Sequence, residues 1–349
     1  MNRNFVVIAF VSAALFGLST PAAKVLLGSI DPAMLAGLLY CGAGLGVAIL
    51  RRGLVLSAGS GPEAPLSRSD APWLAGAIVS GGVVGPLLLM AGLSRTSADS
   101  ASLLLTLEGV ATALLAWFVF RENFDRRIAA GMACLVAGAI VLSWTGHATW
   151  TGLTGPLAIL GACVAWGLDN NLTKKVSLAD PLQIVELKGL IAGPANLALG
   201  VWAGGSLPAW PAIGLAMFVG FLGYGVSLGL FVRALRHLGT ARTGAYFATA
   251  PFIGALASVM FLREPVTAQL LAAGALMAAG VWLHLGEMHD HEHVHEAMEH
   301  DHAHVHDDHH QHSHTSSDLP GEPHAHRHRH EPMTHSHPHT PDLHHPHRH

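Results

Sequence analysis

"FGLSTPAAKVLLGSIDP" (residues 16–32) and "WGLDNNLTKKVSLADP" (166–181) are two versions of one pattern. Gly17-Leu18 matches Gly167-Leu168, Lys24 matches Lys174, and Asp31-Pro32 recurs as Asp180-Pro181. A second pair lies further on. "FRENFDRRIAAGMACLVAGAIVL" (120–142) aligns with "LREPVTAQLLAAGALMAAGVWL" (262–283), with Arg121-Glu122 on Arg263-Glu264 and Ala137-Gly138 on Ala279-Gly280. A fixed internal period governs the fold before any local feature does. The chain is therefore two halves, residues 1–145 and 151–286, followed by a tail of different character at 287–349.

Each half is oily. Of the 349 residues, 51% are hydrophobic and only 12% charged, about half the charged share of a soluble domain. Apolar runs of roughly 18–25 residues predict membrane-spanning helices. Ten are present: 5–27, 33–50, 72–93, 98–120, 127–145, 154–173, 182–203, 211–232, 241–262 and 266–285. Turn and charge signals such as "GSIDP", "RENFDRR", "SLADP" and "LREP" separate them. "STPAAK" loosely resembles a leader-cleavage site, but the first span has an internal counterpart and is expected to be retained. Cys41, Cys134 and Cys163 each lie inside an apolar run without a CxxC pair, so neither a disulfide framework nor a thiolate metal site is expected.

Lys and Arg in the connecting loops set orientation. With the N-terminus cytoplasmic, twelve of these residues fall inside, from Arg3 to Arg242, and two, Arg95 and Arg263, fall outside. Both termini are then expected in the cytoplasm of a cell (inner) membrane protein. Five spans per half is an odd number, so the second half enters the membrane from the opposite side. Lys24 and Lys174 come to opposite surfaces, as do Glu122 and Glu264. An inverted repeat gives one structure two mirror-related states of similar energy, which is the architecture of secondary transporters.

The Gly-containing first span with its distal Lys24, and the paired "[FL]RE…G…AG" of the fifth and tenth spans, resemble EamA-type transporters of the drug/metabolite transporter superfamily. The resemblance covers about residues 5–285. It implies ten membrane helices, a central solute cavity and secondary transport, often export of amino acids, their derivatives or other metabolites. Two places depart from the family pattern. Glu108-Gly109 stands where many members carry a proline, and "MLAGLLYCGAG" (34–44) lacks the arginine often found early in the second span.

Charged groups in membrane helices cost roughly 2.5–3.5 kcal/mol on insertion scales, so they persist where they are paired, hydrated or used. Glu108 sits deepest, mid-way along the fourth span. Burial favours the protonated form of a carboxylate, as a proton-coupling site requires. Asp169, Asn170 and Asn171 follow the oily "GPLAILGACVA" (155–165) and are too short to snorkel to water, unlike Lys174 and Lys175. With their counterparts Ser19, Thr20 and Pro21 they predict a polar break at matching places in the two halves, facing an aqueous cavity. Glu186 and Lys188 lie two residues apart and so off a common helix face, each seeking a partner on another helix, with Asp169 the candidate for Lys188. A cation and an anion near one cavity would suit a zwitterion. Pro194 predicts a kink. The candidate solute and coupling residues are thus Ser19, Thr20, Lys24, Glu108, Asp169, Asn170, Asn171, Lys174, Glu186 and Lys188.

Three of the 26 histidines precede residue 287 and the other 23 follow it. His-x-His alternation runs through His289, His291, His293 and His295, through His300, His302, His304 and His306, and through His324, His326, His328 and His330. No apolar periodicity accompanies it, so no core can form and the tail is expected to be disordered. Neutral imidazole is the commonest metal ligand, and Zn, Ni, Co or Cu would each suit such a segment.

The expected fold is an all-α integral membrane protein of ten helices in two inverted five-helix repeats with a disordered tail. The expected function is secondary transport of a small polar metabolite, with export as the direction the resemblance implies, a cytoplasmic divalent-metal-binding tail and no required cofactor. The alternative is a divalent-metal transporter fed or sensed by that tail; a metal sensor or buffer without transport leaves the repeat unexplained. No nucleophile–base or phosphate-loop motif points to an enzyme. The partners expected are the lipid bilayer, the solute and divalent metal ions, with no nucleic acid.

Overall fold

The computed structural model describes residues 3–58, 66–119, 126–144, 150–176, 179–238, 243, 246–285, and four tail segments at 289–295, 298–304, 324–330 and 333–339. The body is helical throughout. Its spans are α1 (Arg3–Leu26), α2 (Pro32–Ala58), α3 (Arg68–Leu93), α4 (Ala98–Phe118), α5 (Arg126–Ser143), α6 (Trp150–Lys174), α7 (Pro181–Trp202), α8 (Trp210–Ala234, continuing to Leu238), α9 (Ala250–Leu262) and α10 (Ala268–Leu285). Seven are long and apolar enough to cross a membrane, and α5, α9 and α10 supply the shorter apolar helices that complete the ten.

Local chemistry sets the ends. Asp180 caps α7 by accepting from the Leu182 N–H at 2.9 Å, and Pro181 fills the first helical position, where no donor is needed. Arg263 closes α9 in the left-handed conformation, φ 56°. The next residue, Glu264, accepts from the Ala98 and Asp99 N–H groups at 2.8 and 2.7 Å, satisfying the N-terminus of α4.

The repeat is visible in the packing. Mates pack on each other, α2 along α7 and α5 along α10. The α2–α7 seam brings Gly44 onto Gly189, and small residues permit such close backbone approach in membranes. Then α1 packs on α8 and α9, while its mate α6 packs on α3 and α4. Gly17 of α1 lies on the backbone of Ala250 and Gly254 in α9; Gly167 of α6 lies on Ala111 and Thr112 in α4. Ser19 lies against Gly223 of α8, and Asp169, its repeat mate, against Gly81 of α3.

Irregular backbone also occurs in matched places. A π-helical stretch interrupts α3 at Ile78–Val84 and another interrupts α8 at Phe221–Val226. Turns break α4 at Leu105-Thr106 and precede α9 at Ala248-Thr249. Thr106 Oγ1 donates to Leu103 O (2.8 Å) and Thr249 Oγ1 to Tyr246 O (2.6 Å), so both turns are built alike. The sequence predicts the polar break in α1 and α6 instead. Both helices run unbroken through those positions. Ser19 Oγ donates to Phe16 O at 2.6 Å and Asn171 Nδ2 to Gly167 O at 2.8 Å, so these short polar groups are satisfied on their own helix without unwinding it. Pro194 is likewise accommodated within α7.

Four segments of the tail are extended. β1 (His289–His295) pairs antiparallel with β4 (Met333–His339), and β2 (Met298–His304) with β3 (His324–His330). The physical reason is the period of two in His-x-His, which matches the alternation of a strand even where no apolar face accompanies it.

Candidate functional site

Three charged side chains, Glu108, Asp169 and Lys188, lie on α6 and on its neighbours α4 and α7. Lys188 Nζ of α7 donates to Asp169 Oδ1 of α6 at 2.5 Å and to Thr173 Oγ1 at 2.9 Å. Thr173 Oγ1 also donates to Asp169 Oδ1 at 2.8 Å. The side chains of the pair retain only 16% and 12% of their accessible surface. Asp169 Oδ2 fills the space that a Cβ at Gly81 would need, so the glycine of the π-helical stretch lets the carboxylate reach the α3 backbone.

That backbone is held from three sides. Gly81 O accepts from Tyr40 Oη (2.8 Å) and from Trp166 Nε1 (2.9 Å). Gly82 O accepts from Asn196 Nδ2 at 2.9 Å. Helices α2, α6 and α7 thus supply donors to two consecutive carbonyls. A buried carbonyl left without a partner would cost several kcal/mol in a lipid surround.

Glu108 begins the second segment of α4, one residue beyond Leu107. It lines a cavity of about 450 Å³ with Gly109, Thr112, Ala113, Ala116, Asn170 and Asn171. Asn170 Nδ2 donates to Glu108 Oε1 (2.9 Å) and to Thr112 Oγ1 (3.2 Å). Asn171 Nδ2 donates to Thr112 O at 3.1 Å, which ties α6 to α4 beside the cavity. A carboxylate so placed can take a hydrogen bond from a solute ammonium or hydroxyl, or hold a proton.

The sequence-derived candidates divide accordingly. Glu108, Asp169, Asn170, Asn171 and Lys188 converge on this region. Glu186 does not join Lys188: its carboxylate takes Arg51 Nη1 at 3.1 Å, and Arg51 Nε reaches Asp180 at 2.8 Å, so this network ties α2 to the start of α7. Lys24 sits at the far end of α1, where Nζ donates to Leu93 O (2.6 Å) and Thr96 O (2.7 Å) and closes the C-terminal end of α3. Ser19 and Thr20 are buried among α1, α8 and α9. Lys174 ends α6, and its side chain lies outside the described residues. His306 lies outside them too, and the other candidate histidines, His289 to His304 and His324 to His330, are described in backbone only.

Sequence reasoning missed the aromatic partners. Tyr40 and Tyr224 have ring centroids 5.8 Å apart, Phe16 and Tyr224 5.9 Å, and Phe16 and Phe247 5.3 Å. A signal existed: the chain has three tyrosines, and two of them fall mid-span rather than at the interfaces where that residue usually sits.

A sequence profile of the EamA-like transporter family matches residues 4–144 and again 153–286. The chain is similar to an uncharacterized transporter of Methanothermobacter thermautotrophicus, 29% identical over 301 residues that cover 81% of this chain and 87% of that one. It is also similar to a probable amino-acid metabolite efflux pump of Salmonella typhimurium, 24% identical over 54% of this chain and 67% of that protein. The threonine/homoserine exporter RhtA of Escherichia coli is 30% identical over 131 residues, a stretch that spans 44% of that exporter and 37% of this chain. A solved crystal structure shares the fold, with a TM-score of 0.58 at 18% identity over 80% of this chain and 95% of that one.

Proposed function

This chain belongs to the EamA-like transporter family, and from that premise we propose that it exports a small polar metabolite, an amino acid or close derivative, by alternating access. As a family member it is a multi-pass membrane transporter and not an enzyme. The observation that carries the reading is the cavity lined by Glu108, Asn170 and Asn171, with the Asp169–Lys188 pair on the adjoining residue of α6. Charged side chains are retained in membrane helices chiefly along solute and proton paths. The relatives named as an amino-acid metabolite efflux pump and a threonine/homoserine exporter support the solute class and the direction. In this reading Glu108 is the coupling carboxylate, and both termini face the cytoplasm.

The tail, in the same proposal, binds divalent metal of the Zn, Ni, Co or Cu class on the cytoplasmic side. Transport of the metal itself is the weaker reading, since no group of three or more His, Cys, Asp or Glu able to hold an ion occurs among the described residues.

The test is flux in liposomes under an imposed pH gradient, with labelled threonine, homoserine and a panel of other amino acids. Wild type should move at least one of them faster with the gradient than without it. Glu108→Gln keeps the size of the side chain and its hydrogen bond with Asn170 but cannot release a proton, so gradient-driven flux should be lost while the protein still inserts. No flux of any amino acid by wild type, or unchanged gradient-driven flux in the variant, would refute the reading.

A further inference from the structure

The strand registers of the tail sort its residues into two unlike faces. In the β2–β3 ribbon His300 stands opposite His328, His302 opposite His326 and His304 opposite His324. The residues between them take the other face, where Glu299 stands opposite Arg329 and Asp301 opposite Arg327. Alternation along each strand makes this division, because successive residues belong to opposite faces. The β1–β4 ribbon has a histidine face of the same kind, with His289, His291 and His293 opposite His339, His337 and His335. Its other face sets Asp290 opposite Pro338 and Glu292 opposite Ser336.

Such a ribbon has no apolar face, and two strands alone are marginal in water. Its register is set by charge instead. Opposite charges directly across a ribbon stabilise it, and like charges destabilise it. A slip of one residue would set His302 opposite Ala325 or Arg327 and undo both faces at once. In the observed register two neighbouring His–His rungs place four histidines on one face, at the corners of a rectangle of about 5 Å by 7 Å. Four ligands complete the shell of a zinc-like ion, which sits about 2.0–2.1 Å from each ring nitrogen. Four alternate histidines of a single extended strand would be spread over about 20 Å, too far to share one ion. Pairing the strands is what makes the ligand set.

We propose that each ribbon of the tail holds one divalent ion of the Zn, Ni, Co or Cu class on two neighbouring His–His rungs, and that the ion clamps the strands in this register. The inference rests on the reading of the tail as metal-binding and adds which histidines act together. Each ribbon has three such rungs, and both possible placements of the ion use the middle one. A ribbon therefore holds one ion, and the chain holds two. Ligands from both strands meet only when the strands pair, so metal binding and pairing are one linked event. The charged face of β2–β3 acts on the ion without touching it, by holding the register.

Calorimetric titration of zinc ion into the purified full-length protein in nanodiscs at pH 7.5 tests it. Wild type should bind two ions more tightly than any further ones, one for each ribbon. His302→Ala breaks the middle rung of β2–β3 and should weaken one tight site at least about tenfold. His326→Ala should do the same, and the two together should cost little more than either alone. His304→Ala, which leaves the rungs of His300 and His302 whole, should bind like wild type, as should a chain with His309, His310 and His312, outside both ribbons, all changed to alanine. The charged face gives a test that removes no histidine. Arg327→Glu and Asp301→Arg each set like charges opposite and should each weaken the site by roughly fivefold, and the two combined should restore it. Simple attraction of the cation would instead move the two single variants in opposite directions. Losses that follow only the number of histidines removed, or charge variants that move in opposite directions, would overturn the paired-strand site and leave a metal-binding tail. No zinc bound by wild type would refute the tail reading itself.

Discussion

Replacing Lys188 by methionine leaves Asp169 in place with its counter-charge gone. The two side chains are mostly desolvated, at 16% and 12% exposure, so little solvent is at hand to screen the orphaned carboxylate. Removing one member of a buried pair costs about 3–5 kcal/mol, because the remaining charge is left uncompensated. Lys188→Met should therefore destabilise the protein by about that amount. Asp169→Asn should cost a similar amount, because Lys188 then loses its counter-charge and keeps only neutral partners, the amide and Thr173. Together, Asp169→Asn and Lys188→Met remove both charges, and the double variant should return to within about 1 kcal/mol of wild type. The cycle thus predicts a coupling of at least about 3 kcal/mol, well above the ~0.5 kcal/mol expected for independent sites. Equilibrium unfolding of the detergent-solubilised protein by SDS, followed by tryptophan fluorescence, measures it; Trp166 sits one turn from Asp169 on α6. Additive single effects would show that the pair carries no interaction and that Lys188 is held by something else. A restored double variant that no longer binds solute would separate the pair's role in recognition from any role in stability.

Two further outcomes follow from the geometry. Gly81→Ala should cost about 1–3 kcal/mol by overpacking against Asp169, whereas Gly109→Ala, where an added Cβ meets nothing within 4 Å, should be neutral in the same assay; equal effects would contradict the close approach at Gly81. Zinc titrated calorimetrically into the full-length protein should bind with more than one ion per chain at pH 7.5 and far more weakly at pH 5.5, because protons displace metal from imidazole below its ordinary pKa of about 6.5. A variant lacking residues 289–349 should lose that binding, and binding equal at both pH values would rule out imidazole ligands.

The membrane fold was legible because its signals are long and repeated. Twenty-residue apolar runs and the Gly-Leu…Lys and Arg-Glu matches each survive local noise, and the helices lie where those runs lie. The contact of Lys188 with Asp169 was legible for a related reason: a charge buried in an apolar segment needs a partner, and few are on offer. The irregular backbone was not legible. A π-helical stretch in "IVSGGVV" (78–84) leaves no composition signal that separates it from ordinary glycine packing, and Thr106 looks like one more hydroxyl in an apolar run. Short polar side chains in α1 and α6 gave a misleading signal, since Ser19 and Asn171 bond their own helix as readily as they line a break. Glu186 has its partner on another helix, as its place in an apolar segment predicts, but the identity of that partner was not legible. Nothing in the sequence tells that Arg51, 135 residues away, reaches it first.

Symmetry and asymmetry divide the labour of this molecule. Inverted repeats supply two states of similar energy only as long as the groups that differ between the halves do not favour one state strongly. Three charges placed in one half-interface and none at their mates would do so if left bare, because each would prefer the state with better access to water. Pairing Lys188 with Asp169 limits that bias, since a neutral pair loses less on closure than two separate ions. Glu108, held by Asn170 and facing the cavity, has no cationic partner among the described residues. Its charge is the one left for a proton or a solute ammonium to neutralise. Under the proposed function, the state with the site closed to water is favourable only when Glu108 is occupied. In that proposal the carboxylate links occupancy to the change of state, and Glu108→Gln should let the empty carrier reorient freely.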